Sequence, residues 1–394
     1  MKLKQTIASA NFSKQKVLLR LDLNVPMQAG QVTEDYKIKT ALKTIKSLSD
    51  QVDKIIIASH LGEPIVDGIL VTGALEKYSL KPIADQLAIL LGVKVKFLPG
   101  QDLIKIKKDI EQAQEKIIVL DNLRFWPGEL TNDSSFAEQL ASLADCYIND
   151  AFAVSHRQQA SVSAIKDFLP SWAGLLLEAE VDNLSKALQP EQPLAVVLGG
   201  AKVSTKVKLI KNLGQKADKI LLGGGLANNF LAAQGYNIGK SLADEESIAL
   251  AQELIKEFAD KIIIPSDVIV ADASGQPAWR LAQEVKDEEM ILDIGPKTIQ
   301  EFSRQIKQAK TIVWNGPLGK FEDEHYKNGT LFVAREIAWQ SRGAAFGLVG
   351  GGETVAALQM TEMAGYVDWV STAGGAMLAF LGGENMPGLT GLLE

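Results

Sequence analysis

Glycine is the residue type whose placement in this chain first suggests chemistry. Of 33 glycines, four groups stand directly after apolar runs: Gly199-Gly200, Gly223-Gly224-Gly225, Gly350-Gly351-Gly352 and Gly374-Gly375. A glycine run between a parallel strand and a helix lets the backbone approach a ligand. It also aims free N–H groups and the positive helix end at an anion. One such group is as readily a tight turn with no ligand, but four in one half of the chain point to an anionic ligand. Lysines follow the first group at positions 202, 206, 208 and 211. Lys202 and Lys206 share a face if a helix begins there, although on spacing alone the four lysines favour a solvated basic helix face. Two familiar fingerprints fail. No G-x-G-x-x-G lies between a strand and a helix, and Gly235-Tyr-Asn-Ile-Gly239-Lys240-Ser241 separates its glycines by three residues where a phosphate loop needs four. Neither a P-loop NTPase nor an ordinary dinucleotide dehydrogenase is supported by motif. The single cysteine, Cys146, excludes an internal disulfide and a multi-thiolate metal centre, and three histidines (His60, His156, His325) make a His-rich centre unexpected.

Such loops need elements to hold them, and short apolar runs alternating with longer amphipathic stretches supply them. Strands are expected over 17–21, 54–58, 93–97, 117–120 and 146–148, then over 194–198, 219–222, 261–264, 311–314 and 345–349. Most of these runs are apolar throughout rather than alternating, which fits strands covered on both faces of a parallel sheet. Helices are expected over 82–91, ended by Gly92, and over 244–258, opened by Asp-Glu-Glu. Repeated strand–helix–strand units argue for an α/β architecture. The two strand series suggest two domains, 1–170 and 189–379, joined by a helix over 171–188. In an open parallel sheet, ligand loops sit at the carboxyl ends of the strands, where these glycines fall.

With 394 residues, 46% hydrophobic and 23% charged, the chain is long enough for two or three domains and is not a disordered polymer. A formal charge of −7 makes nucleic acid or anionic lipid a poor principal partner, so an anionic ligand must be held by a local basic cluster. No run of 18 apolar residues indicates a membrane span, and the opening MKLKQTIASANFSKQK has no apolar core of export-signal length. A cytoplasmic protein with no membrane partner is expected.

Taken in order, several segments together resemble phosphoglycerate kinases. They are Leu19-Arg-Leu-Asp-Leu-Asn-Val-Pro26, Ser59-His-Leu-Gly62, Asn122-Leu-Arg-Phe125, Asn149-Asp-Ala-Phe152, His156-Arg157, Gly199-Gly-Ala-Lys-Val203, Asp293-Ile-Gly-Pro296, Val313-Trp-Asn-Gly-Pro317 and Gly350-Gly-Gly352. The resemblance implies two Rossmann-like α/β domains, each a parallel sheet flanked by helices, facing across a hinged cleft. The tail, about 380–394, would return to the first domain. The implied activity is reversible phosphoryl transfer between 1,3-bisphosphoglycerate and ADP, giving 3-phosphoglycerate and ATP in glycolysis, with magnesium and by a monomer. A carboxylate acceptor needs no general base, so catalysis would be positioning and charge neutralisation. By the resemblance, Lys202 meets the moving phosphoryl group, with Lys37, Gly350 and Gly374 also at the reacting centre. Asp22, Leu23, Asn24, Lys37, His60, Leu61, Gly62, Glu63, Arg124 and Arg157 would bind the phosphoglycerate, the arginines through paired hydrogen bonds to phosphate. Gly200, Ala201, Lys202, Lys206, Gly224, Gly295, Asn315, Pro317, Glu322, Gly351, Gly352, Glu353 and Thr354 would bind the nucleotide, and Glu353 would help position magnesium.

The chain departs from the family pattern in places. Lys37 stands where the family has an arginine, keeping the charge and losing the fork. Glu63 also stands in place of an arginine, a swing of two charge units beside the expected phosphate site. Glu353 replaces an aspartate, Ala373 interrupts a glycine run, and Gln159 replaces a second histidine. The alternative to an active kinase is a weakened or inactive nucleotide-binding protein of the same fold.

Overall fold

The computed structural model describes residues 2–394. The chain divides into two compact units, Met1–Asp182 with Met386–Glu394, and Asn183–Asn385. The first unit carries a six-stranded parallel sheet in the order Ser171–Ala173, Cys146–Asn149, Lys16–Arg20, Lys54–Ala58, Ile117–Leu120, Val95–Leu98. Successive side chains of a strand point to opposite faces, and here both faces are apolar. Val17, Leu19, Ile55, Ile57, Val119 and Ile148 pack into one core with the helices Tyr36–Ser49 and Lys81–Leu91. Leu18, Ile56, Ile118 and Tyr147 pack into the other with Leu103–Gln112 and Ser134–Ala141.

The second unit repeats the plan. Its parallel sheet runs Ile262–Ile263, Lys219–Leu222, Leu194–Leu198, Thr311–Asn315, Phe346–Gly350, Trp369–Ser371. The helix Glu245–Glu257 begins where the Asp244 carboxylate accepts from the Ser247 N–H at 2.8 Å. A three-stranded antiparallel sheet, Pro277–Leu281, Asp267–Ala271, Met290–Ile294, is an addition that the parallel expectation did not contain. Among the described residues no helix is long and apolar enough to cross a membrane.

The ten expected strands form, with ends displaced by at most two residues. The helix expected over 171–188 is shorter. Ser171–Ala173 is an edge strand on Cys146–Asn149, and the helix is Leu175–Leu188. Ladder hydrogen bonds override the helical spacing until Asp150, whose Oδ1 accepts from the Leu176 and Leu177 N–H groups at 2.8 and 3.0 Å and starts the helix. The division between units falls inside this helix, after Asp182. Residues 380–385 stay with the second unit, where Lys208 pairs with Glu384 at 2.6 Å and the Asn212 side chain donates to the Leu381 carbonyl.

Candidate active site

In the first unit, four strand ends on one edge deliver the residues of interest. Lys16–Arg20 leads into Asp22, Leu23 and Asn24; Lys54–Ala58 into His60, Leu61, Gly62 and Glu63; Ile117–Leu120 into Arg124; and Cys146–Asn149 into Arg157. Hydrogen bonds lace these loops together. The Ser59 hydroxyl donates to the Leu21 carbonyl and accepts from the Leu23 N–H, at 2.8 and 2.9 Å. The Asn122 side chain accepts from the Leu61 and Arg124 N–H groups and donates to the Leu61 carbonyl. Asn24 Oδ1 accepts from the Gly62 N–H at 3.0 Å. Gly62 sits at φ +57° and a Cβ there would strike the Tyr78 ring, so any side chain at this turn is strained and must displace that ring.

The framework carries a concentrated positive field. Arg20 is completely buried: its Nε donates to the Ser161 hydroxyl at 2.9 Å, Nη1 donates to the Leu21 carbonyl, and Nη2 lies 3.2 Å from His60 Nδ1. The buried Glu129 carboxylate accepts from that same Ser161 hydroxyl at 2.6 Å. A guanidinium only donates, so His60 Nδ1 accepts and the ring proton resides on Nε2. Burial holds the His60 imidazole well below the usual histidine range, and the charges of Arg20, Arg124, Lys37 and Arg157 push the same way. His60 is therefore a neutral donor among cations. Lys37 Nζ donates to Asp22 Oδ2 at 2.7 Å. Arg124 is 2% exposed, and its Nη1 donates both to the Gly62 carbonyl and to the Glu63 carboxylate at 2.6 Å. Arg157 is exposed.

Leu23 and Leu61 differ from expectation. Their side chains lie in the apolar core, and their N–H groups are taken by Ser59 and Asn122, so they brace the loops. Arg20 and its Ser161–Glu129 support were missed. The available signal was an arginine inside an apolar run, a charge that burial obliges to find partners.

In the second unit the glycine groups again follow strands on one edge. Gly199 and Gly200 donate to the carbonyls of Asn315 and Pro317 at 3.0 and 2.9 Å, and Gly224 donates to that of Leu318 at 2.9 Å. Gly316, at φ +96°, brings its loop against the Gly199 backbone so closely that a Cβ would collide with it. Asn315 is buried, receives the Lys206 ammonium on Oδ1 and donates to the Gly350 carbonyl at 2.7 Å. The Gly316 N–H donates to the Thr354 hydroxyl at 2.7 Å, which ties the helix Gly352–Gln359 to the same loop. Ala373 is followed by the helix Gly374–Leu381. A cavity of about 340 Å³ is lined by Gly200, Ala201, Gly224, Pro317, Glu322 and Glu353, with apolar walls from Leu231, Leu242, Val268 and Met290. Its size and lining suit a small organic ligand.

Three expectations are corrected here. The helix after Lys206 starts at Val207, so Lys202 and Lys206 do not share a helix face: Lys202 is exposed ahead of the helix, and Lys206 is buried. Gly295 and Asn315 do not line the cavity. Gly295 abuts Asp267, and Asn315 braces the loops beneath. Burial lowers Lys206 to about 8, opposed by the nearby Glu353 carboxylate. Asp293, part of a quoted motif but not expected to line the site, does line the cavity; burial raises it to about 7.

Fold and loops together define a two-unit α/β protein, with basic side chains gathered at the strand ends of the first unit and glycine-rich loops at those of the second, beside a cavity sized for a small organic ligand. The family model "Phosphoglycerate kinase" matches residues 7–384. The phosphoglycerate kinases of Moorella thermoacetica and Pelotomaculum thermopropionicum are each 42% identical over 99% of both chains. Among solved structures, phosphoglycerate kinase from Coxiella burnetii aligns with TM-score 0.84 and 38% identity, covering 98% of this chain and 97% of that one. The Pyrococcus horikoshii enzyme aligns with TM-score 0.83 and 31% identity, covering 98% of each. The chain belongs to the phosphoglycerate kinase family.

Proposed function

We propose that the first unit holds 3-phosphoglycerate or 1,3-bisphosphoglycerate and the second holds ATP or ADP, so that the protein interconverts these pairs as a glycolytic kinase. As a family member it is a phosphotransferase whose acceptor is the carboxyl group of 3-phosphoglycerate. Nothing in the fold or among the relatives favours the inactive alternative. The observation that carries this reading is the family match over residues 7–384.

The residue types support the assignment. In the first unit Arg124 and Arg157 offer forks to a phosphate, and His60 offers a neutral Nε2–H that stays available across physiological pH. Lys37 and Asp22 stand as an ion pair near the substrate's carboxylate and hydroxyl end. In the second unit apolar walls take the base, Glu322 accepts from the ribose, and Lys206 with the Gly350–Gly352 turn holds the phosphates. Lys202, exposed and with the Asp244 carboxylate near enough for their charges to interact, screens the transferring group.

Magnesium would arrive with the nucleotide. Among the described residues no cluster of three or more acidic, histidine or cysteine groups forms a protein-only cage. Glu353, which lines the cavity with Glu322 and Asp293, suits a cation ligated mainly by phosphates and water, which would supply charge neutralisation when bound. We assign the protein to the cytoplasm as a monomer with small-molecule partners only. A coupled assay for ADP release dependent on both ATP and 3-phosphoglycerate tests the reading. No turnover by the intact protein with magnesium present would overturn it.

A further inference from the structure

The first unit already holds an anion of its own at the arginine that should meet phosphate. The Glu63 carboxylate lies 2.6 Å from Arg124 Nη1, and the two partners differ sharply in burial: the Arg124 side chain is 2% exposed and that of Glu63 is 66% exposed. A buried guanidinium needs a counter-charge, whereas an exposed glutamate loses little by returning to water.

The other acids nearby are committed elsewhere. Asp22 is paired with Lys37, and Glu129 accepts from Ser161. Arg124 is not saturated by its internal partners. Nη1 serves both the Gly62 carbonyl and Glu63, while Nε is buried with no hydrogen-bond partner among the described residues. A phosphate, with more oxygens and more charge than a carboxylate, satisfies more of those donors.

We infer that Glu63 is a resident counter-ion for Arg124 that the substrate phosphate must displace, making it a residue that sets affinity for the phosphate end of the substrate. The inference rests on the substrate reading proposed above.

Backbone geometry keeps Glu63 from leaving altogether. Gly62 is fixed by its turn and by Asn24, and Pro64 restricts the backbone of the residue before it. The displaced carboxylate therefore swings aside but stays near the bound phosphate and repels it. Both effects weaken binding of a dianion. Arg20, Arg124 and Arg157 supply the attraction against which this internal competitor acts.

The test is isothermal calorimetry of the intact protein without nucleotide, comparing wild type, Glu63→Gln and Glu63→Ala, with 3-phosphoglycerate and inorganic phosphate as titrants. Both variants are expected to bind each titrant about three- to tenfold more tightly, the scale of a half-exposed ion pair, and to lose affinity more steeply with added salt than wild type, because the site that remains is more cationic. Equal or weaker binding in both variants overturns the inference, because Glu63 would then be holding Arg124 in its productive position. The two readings fail separately. A wild type without kinase turnover whose variants nonetheless tighten on inorganic phosphate sinks the substrate assignment alone. Full turnover with unaltered binding sinks the role of Glu63 alone.

Discussion

Burial divides the lysines at the glycine-rich loops proposed to hold the nucleotide into two kinds. Lys206 is enclosed, bonded to Asn315 and lowered to about 8, so it is a fixed and partly titratable charge. Lys202 is exposed, and it is less constrained than Lys206 in following a group in motion. Stabilising charge that appears only in the transition state raises kcat, whereas uniform binding changes KM. Lys202→Ala is accordingly expected to lower kcat by about 100-fold or more while nucleotide KM changes only a few-fold, as read by steady-state kinetics. Turnover at the wild-type rate would remove Lys202 from the mechanism. At this scale residues such as His60, Arg124 and Lys202 could be named from the family motifs they belong to, whereas spacing alone left Lys202 on a solvated basic face. What stayed hidden was support that depends on distant sequence, above all the contact of Arg20 with His60 across 40 positions and with Ser161 across 141.

At the scale of elements, continuous apolar runs betrayed the central strands because both of their faces are buried. Ser171–Ala173 and Trp369–Ser371 escaped notice, since a three-residue edge strand is defined by its neighbour rather than by its own pattern. Pro277–Leu281 escaped because it is largely solvated and carries no apolar run. Asp150 shows how an edge strand and a helix are joined. It lies just beyond Cys146–Asn149, and its Oδ1 accepts the first N–H groups of Leu175–Leu188. Burial raises its carboxyl to about 6 from an ordinary 3.8, partly offset by the hydrogen bonds from the Leu177 and Leu176 N–H groups. A carboxyl raised on folding contributes stability that is complete below about pH 4 and lost as pH rises through about 6. Asp150→Asn keeps an acceptor for the helix and carries no charge. It is expected to match wild type near pH 4 and to exceed it by about 1–3 kcal/mol at pH 7–8, in guanidinium unfolding curves measured across that range. Parallel stability profiles for the two proteins would show that Asp150 does not titrate as described.

For the whole molecule, the first unit is discontinuous: it is completed by Met386–Glu394 after the chain has built the entire second unit. The tail is not an ornament on that unit. Leu389 and Leu392 are fully buried, the Asn149 side chain donates to the Gly388 carbonyl at 3.1 Å, and Lys166 donates to the Pro387 and Thr390 carbonyls. Burial pulls Lys166 down to about 8, so its ammonium depends on those carbonyls. Burying two leucines is worth about 3–6 kcal/mol, a large part of a unit's stability. Asn149 ends the strand that leads through Asp150 to Arg157, so loss of the tail acts on the loops proposed to hold the substrate rather than on those proposed to hold the nucleotide. Deleting residues 386–394 is therefore expected to reduce amide protection throughout the first unit in hydrogen-exchange mass spectrometry while leaving the second unit's protection unchanged. The KM for 3-phosphoglycerate should rise by a larger factor than the KM for ATP. Equal loss of protection in both units, or an unaltered first unit, would mean that the tail is not the closing segment of the substrate-binding fold.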